Sequence, residues 1–304
     1  MLRTLAASAL ALVLFFSTAE GNAREPSPSA CSRVFADGRP PAIGRSADNR
    51  LLCFRAYAVL HSARTRTAVW SAEHLTRAAV DAARELPRDS DFYEEPRLPR
   101  NERGSLNDYG RGAGFDRGHL APSGDFGDKE SQEESFSLAN VIPQHPFSNR
   151  RTWSHLETST RRLVRKVGTA YVVTGPAFIR DAGTLRGRIR VPDFVWKAIY
   201  VPGMGAAAYI ARNDATPAYS VVSIGELAHF VGVDPFPSLP EAMRMNPLDL
   251  PPPTPHPGER AARKVSFAWL ASAEAATAVP AAESLQKLAR TASTMVALAA
   301  AYAR

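Results

Sequence analysis

Cysteine is nearly absent from this 304-residue sequence: Cys31 and Cys53 are the only two, and they do not form a C-x-x-C pair. H-E-x-x-H and G-x-S-x-G are missing too, so thiol-redox, zinc-peptidase and serine-hydrolase chemistry all lack their signatures. Past the first two dozen residues there is no apolar run long enough to cross a bilayer, and there is no internal repeat. The acidic stretch "DFGDKESQEE" fails as a calcium loop, because Gly127 stands where a ligand belongs and Glu130 where the turn glycine belongs. Neither sign of charge is scarce, but 37 Lys and Arg against 30 Asp and Glu leave a net +7, which favours a polyanionic partner.

The opening run "MLRTLAASALALVLFFSTAEGNA" has a basic start, about a dozen apolar residues and small residues at Ala19 and Ala23. This is the pattern of a signal peptide over 1–23, too short for an anchor, and it predicts an exported protein, periplasmic or extracellular, with no stable membrane insertion. In an oxidising compartment Cys31 and Cys53 are expected to pair as a disulfide. Residues 24–50 are rich in Pro, Ser and Gly and read as an irregular lead-in. A folded domain is expected over 51–250, then a Pro-rich linker over 251–258 and an Ala-rich, helical tail over 259–304.

Within the domain, "LLCFRAYAVLHSARTRTAVWSAEHL" alternates apolar and polar residues around "SART" and predicts a hairpin, with Phe54, Tyr57 and Val59 on one strand and Val69 and Trp70 on the other. The stretch from Pro87 to Gly114 holds too many prolines and glycines for a long element and reads as a long loop; its "GRGAG" has no strand before it, so it is read as flexible loop, not as a phosphate cradle. A helix is expected from about Asn149 to Lys166, with Trp153, Leu156, Leu163 and Val167 on its apolar side and Gly168 as its stop. "TAYVVTGPAFI", "FVWKAIYV" and "AAAYIA" predict buried strands, and "YSVVSIGELAHFVG" a strand and a short helix, giving a mostly antiparallel α+β class.

The chemistry concentrates in "FDRGHLAPSGDF", where Asp116, Arg117 and His119 fall within four positions at the start of a turn-rich segment. Taken alone this is also a polar hairpin end. Asn149 downstream is a natural helix N-cap, or else a ligand. Glu157 lies eight residues on, about 80° round a helix and about 12 Å along it, and side chains lean toward the N-terminus. An amide oxygen and a water-bridged carboxylate suit a mostly hydrated Mg²⁺.

These features occur in a set of motifs, "WSAEHLT", "GFDRGHLAP", "SLANVIPQ", "SNRRTWSHLE", "VVTGP" and "VPDFVWKAIY", whose order resembles that of the DNA/RNA non-specific endonucleases, the ββα-metal nucleases, over roughly Leu51 to Pro240. The resemblance implies a central, mostly antiparallel sheet flanked by helices, with a strand-strand-helix finger at the site. It implies that His119 is the general base, Asn149 the one direct protein ligand of Mg²⁺ (with Mn²⁺ as a substitute), Glu157 its water-bridged partner, and Asn140 an orienting group. Arg117 would contact phosphate, and Arg88 would be an upstream arginine of the transition state. DNA and RNA are the expected substrates, held through phosphate contacts. Asp116 would hold the loop or a water of the metal. The alternative is a catalytically silent exported nucleic-acid binder on the same fold, which would have no need of His119, Asn149 and Glu157 in this spacing.

Overall fold

The computed structural model describes residues 28–87 and 90–272. The expected signal peptide, Arg88 and the tail beyond residue 272 therefore lie outside the described residues. Strands β1 (Ala42–Ile43), β2 (Asn49–Cys53), β3 (Tyr57–Ser62) and β4 (Thr67–Thr76) lead into helix α1 (Arg77–Ala82). A long loop reaches β5 (Asp116–His119), helix α2 (Lys129–Ser135), β6 (Val141–Gln144) and helix α3 (Ser154–Val167). After β7 (Thr169–Ala177) come the short β8 (Thr184–Leu185) and β9 (Ile189–Arg190), then β10 (Phe194–Val201), β11 (Gly205–Arg212) and β12 (Ala218–Val222). Helix α4 (Ile224–Val231), β13 (Val233–Asp234), α5 (Glu241–Met245), β14 (Arg263–Lys264) and α6 (Phe267–Ala271) complete the described chain.

One eight-stranded sheet, in the order β14-β12-β11-β10-β7-β4-β3-β2, organises the molecule. Its neighbours are antiparallel except for the β12–β14 pair. The period of two along each strand fills two cores. On one face Tyr57, Val59, Leu75, Val172, Val195, Ile199 and Tyr209 pack against Val80 of α1, Leu156 and Val164 of α3, and Leu120 and Ile142 beside β5 and β6. On the other, Trp70, Val173, Phe194, Trp196 and Ile210 pack against Val34 and Phe35 of the lead-in and against Ile224 and Leu227 of α4. Helix α3 stops at Gly168, whose φ of 99° is open to glycine at little cost.

The expected hairpin is a three-stranded meander. The β3–β4 turn falls at residues 63–66, as "SART" suggested, but a second reversal between β2 and β3 takes Phe54 out of the strand that holds Tyr57. The two rings stack across that turn, 4.3 Å apart, so the apolar spacing reflected a corner and not a continuous strand. Cys31 and Cys53 are joined as a disulfide with Cα atoms 5.6 Å apart, fastening the lead-in to the end of β2.

The run expected as a linker is packed on the domain. The Pro251 carbonyl accepts from the Tyr209 hydroxyl, the Pro252 carbonyl from Ser159 Oγ at 2.6 Å, and the His155 carbonyl takes Thr254 N–H at 3.2 Å. Proline lacks an N–H but keeps its carbonyl, so a Pro-rich stretch makes a strap where acceptors are in demand. Past it, β14 adds to the sheet edge and Leu270 is fully buried.

Candidate active site

Strands β5 and β6 pair antiparallel outside the main sheet, with Asp116 opposite Gln144 and His119 opposite Val141, and the chain then turns into the long helix. This strand-strand-helix unit, which ends in α3, is a finger laid on the sheet face that also carries α1. Gly118 is required there: a Cβ would stand 2.0 Å from Gln144 Oε1. Asn213 pins the end of β6, accepting from His145 N–H and donating to the carbonyls of Pro143 and Pro192.

Arg117 and His119, two residues apart on β5, both meet Phe92 of the long loop. The His119 ring lies 5.0 Å from Phe92 and 5.0 Å from Phe136, edge-on to the latter, so two aromatic rings restrict its orientation. The Arg117 guanidinium stands over Phe92 at 4.4 Å, and the residue is exposed. Neither phenylalanine was singled out in the sequence. The signal for Phe92 was the aromatic pair Phe92–Tyr93 in a loop rich in charge and proline.

Asp116 turns to the helix. One carboxylate oxygen accepts from Asn149 Nδ2 at 2.9 Å, and both accept from Arg150, at 2.7 and 2.8 Å. A carboxylate only accepts, so this bond assigns the Asn149 amide: its NH₂ is spent on Asp116 and its Oδ1 is the atom left to act as a ligand. Asn149 is not an N-cap. Its own N–H already bonds the His145 carbonyl, and it sits inside a π-helical turn, Ser148–Trp153, that precedes α3. The π turn inserts extra chain ahead of α3 and so alters the angle between Asn149 and Glu157 that a uniform 3.6-residue repeat implies.

Asn140 is fully buried and uses its whole amide. Its Oδ1 accepts from Ser71 Oγ and Ala121 N–H, and its Nδ2 donates to the carbonyls of Ala121 and Ser135. It ties the residues just past His119 to strand β4, so its role is to hold the finger in place.

Beneath the finger the sheet presents two buried ionisable side chains, Glu73 and Lys197, that the apolar strand pattern concealed. Lys197 Nζ donates to Thr174 Oγ1 at 2.7 Å and lies 3.9 Å from Glu73 Oε1. Burial, reinforced by the Asp125 carboxylate, pushes Glu73 well above the usual carboxylate range, and Lys197 only partly opposes this. Arg161 bonds Asp125 at 2.8 Å. Burial acts to lower its pKa, but Asp125, Glu157 and Glu73 outweigh that and hold it charged. Glu157, half-buried, acts electrostatically on Arg161 and Glu73 in a group of mixed sign, and the helix joins it to the turn that holds Asn149. Arg88 lies outside the described residues.

Residues 40–242 match the DNA/RNA non-specific endonuclease family. The chain belongs to that family. Nuclease C1 of Cunninghamella echinulata var. echinulata is 37% identical over 159 residues, which cover 48% of this chain and 63% of that protein. A nuclease of Nostoc sp. is 32% identical over 201 residues, 63% of this chain and 72% of that protein. A chain in a solved structure of the EndoG/EndoGI complex superposes with a TM-score of 0.60 over 72% of this chain and 95% of that one, at 24% identity, and so shares the fold. In this nonspecific-endonuclease chain the matched segment contains the finger and stops short of the strap. No helix among the described residues is long and apolar enough to cross a membrane.

Proposed function

We propose that this chain is an exported, Mg²⁺-dependent endonuclease that hydrolyses phosphodiester bonds of DNA and RNA with little regard to sequence. The observation that carries the reading is the bond from Asn149 to Asp116, which commits the amide nitrogen and leaves Asn149 Oδ1 as a hard oxygen donor on the same finger that holds His119 between two aromatic rings. Family membership supports the reaction class, and the Cys31–Cys53 disulfide suits an oxidising compartment.

An amide oxygen with the Glu157 carboxylate behind it fits Mg²⁺, which prefers oxygen ligands and retains several waters. When bound, the ion supplies positive charge at the phosphate as negative charge builds up there. His119 takes the proton from the attacking water, whose oxygen bonds phosphorus as the bond to the leaving sugar oxygen breaks; an imidazole suits this because its ordinary pKa is near neutral pH. Arg117, exposed and braced on Phe92, binds a phosphate oxygen. Because the nucleophile is water and not a 2′-hydroxyl, both nucleic acids react, and phosphate contacts carry no base information.

The test is plasmid nicking and RNA degradation by the secreted protein with and without EDTA. Both activities are expected, both lost with EDTA and restored by Mg²⁺. Binding without cleavage at any metal concentration would refute the proposal.

A further inference from the structure

A second cluster of ligating side chains, made of other residues than those assigned to Mg²⁺, stands where the strap meets α3. His155 of α3, and His256 and Glu259 at the end of the Pro-rich run, bring one ligand atom each to within 4.8 Å of one another. We propose that these three residues form a transition-metal site of the zinc class, which clips the strap to α3.

The local chain is built to present them. His256, Pro257, Gly258 and Glu259 form a tight turn closed by Glu259 N–H to the His256 carbonyl, with Gly258 at a φ of 82°. Proline second and a positive-φ glycine third is the pattern of a type II turn, and it holds His256 and Glu259 side by side. On the helix, Ser154 and His155 meet them: Ser154 Oγ bonds His256 Nε2 at 2.8 Å, and His155 Nε2 bonds Glu259 Oε2 at 2.7 Å. The imidazole rings lie edge to face, 5.0 Å apart. His155 is fully buried, and its Nδ1 has no hydrogen-bond partner among the described residues. Arg151 takes the other Glu259 oxygen at 3.3 Å, leaving Oε2 for the cluster.

The spacing is close to that of a metal centre. Three atoms no more than 4.8 Å apart all lie within about 2.8 Å of a common point, so shifts of about 1 Å that also open the His155–Glu259 hydrogen bond bring them to the about 2.0–2.2 Å of zinc–nitrogen and zinc–oxygen bonds. His256 is exposed at the surface and held on the helix by a single hydrogen bond to Ser154 Oγ, which zinc ligation would replace. Two imidazoles and one carboxylate leave a fourth position for water, and neutral His155 moves its Nε2 proton to Nδ1 when the nitrogen ligates. Imidazole donors favour zinc-like ions, whereas Mg²⁺ favours oxygen, so the two sites select different metals.

The test is Zn²⁺ binding to the full secreted chain after chelator treatment and dialysis, read by metal content per chain and by thermal melting. One tightly held Zn²⁺ per chain and a melting temperature raised by about 5 °C or more in excess Zn²⁺ are expected. His256→Ala, a surface change that leaves the core intact, should lose both effects, and Glu259→Gln should weaken them. Asn149→Ala should keep both, since its residue belongs to the other centre. No stoichiometric Zn²⁺ in the unaltered chain, unchanged binding in His256→Ala, or loss of binding in Asn149→Ala would each overturn the proposal. None of these readouts depends on nuclease activity.

Discussion

Removing the Asn140 amide leaves Ser71 Oγ, the Ala121 backbone groups and the Ser135 carbonyl without that partner in a buried interior. Asn140→Ala is therefore expected to cost on the order of 3 kcal/mol or more, measured by urea unfolding, because unsatisfied buried polar groups carry most of the penalty. Changes at the proposed chemical residues should act differently. His119→Ala should lower the rate by about 10² to 10⁴ while Mg²⁺ and nucleic acid still bind, whereas Asn149→Ala should raise the Mg²⁺ concentration needed for any remaining activity. Kinetics against Mg²⁺ concentration separates the two, and the roles are reversed if His119→Ala is the variant that shifts metal dependence. Glu73 makes a pH prediction. Its folded pKa is raised, so the folded state holds a proton that the unfolded chain releases once pH passes the ordinary carboxylate range, and stability falls as pH rises from there toward the raised value. Glu73→Gln removes that loss and should raise the melting temperature by about 3 °C more at pH 8 than at pH 5. A lower melting temperature at pH 8 would mean that ionised Glu73 is what Lys197 needs.

The strap and β14 show what an element contributes beyond its sequence type. Residues 251–272 supply carbonyls to Tyr209 and Ser159, an added strand at the sheet edge and a buried Leu270. Burying one leucine contributes about 1.5–3 kcal/mol, so a chain ending at Leu250 should unfold at markedly lower urea than one ending at Ser272. Equal midpoints for the two truncations would show that the strap is an ornament. The finger is the complementary case: β5 and β6 have four residues each and stand outside the main sheet, so they depend on Leu120, Ile142 and Asn140 to be held there.

For the whole molecule, the basic excess and the proposed phosphate contacts predict affinity for DNA that falls with salt, with a log–log slope near −0.9 for each phosphate neutralised. Fluorescence titration of the His119→Ala protein against duplexes of different sequence, from about 50 to 200 mM salt, measures it. Similar affinities across sequences and a steep shared slope are expected, and Arg117→Ala should reduce that slope by about one contact. Affinity indifferent to salt would place base contacts ahead of phosphate.

Much of the architecture was determined by features within a few residues of one another. The apolar run "FVWKAIYV", the stop at Gly168, and the compact group Asp116, Arg117 and His119 could be read locally because strand propensity, helix ending and strand presentation depend on covalent neighbours. The long-range partners were decided only by the tertiary structure. Phe92 and Phe136 enclose His119, Asp116 reaches Asn149 across 33 residues, and Glu73 faces Lys197 because β7 lies between β4 and β10. The Pro-rich run showed the same limit. Its composition established that it forms no helix or central strand, but whether it hangs in solvent or straps the domain depended on acceptors being wanted by Tyr209 and Ser159, residues that only the folded chain brings beside it.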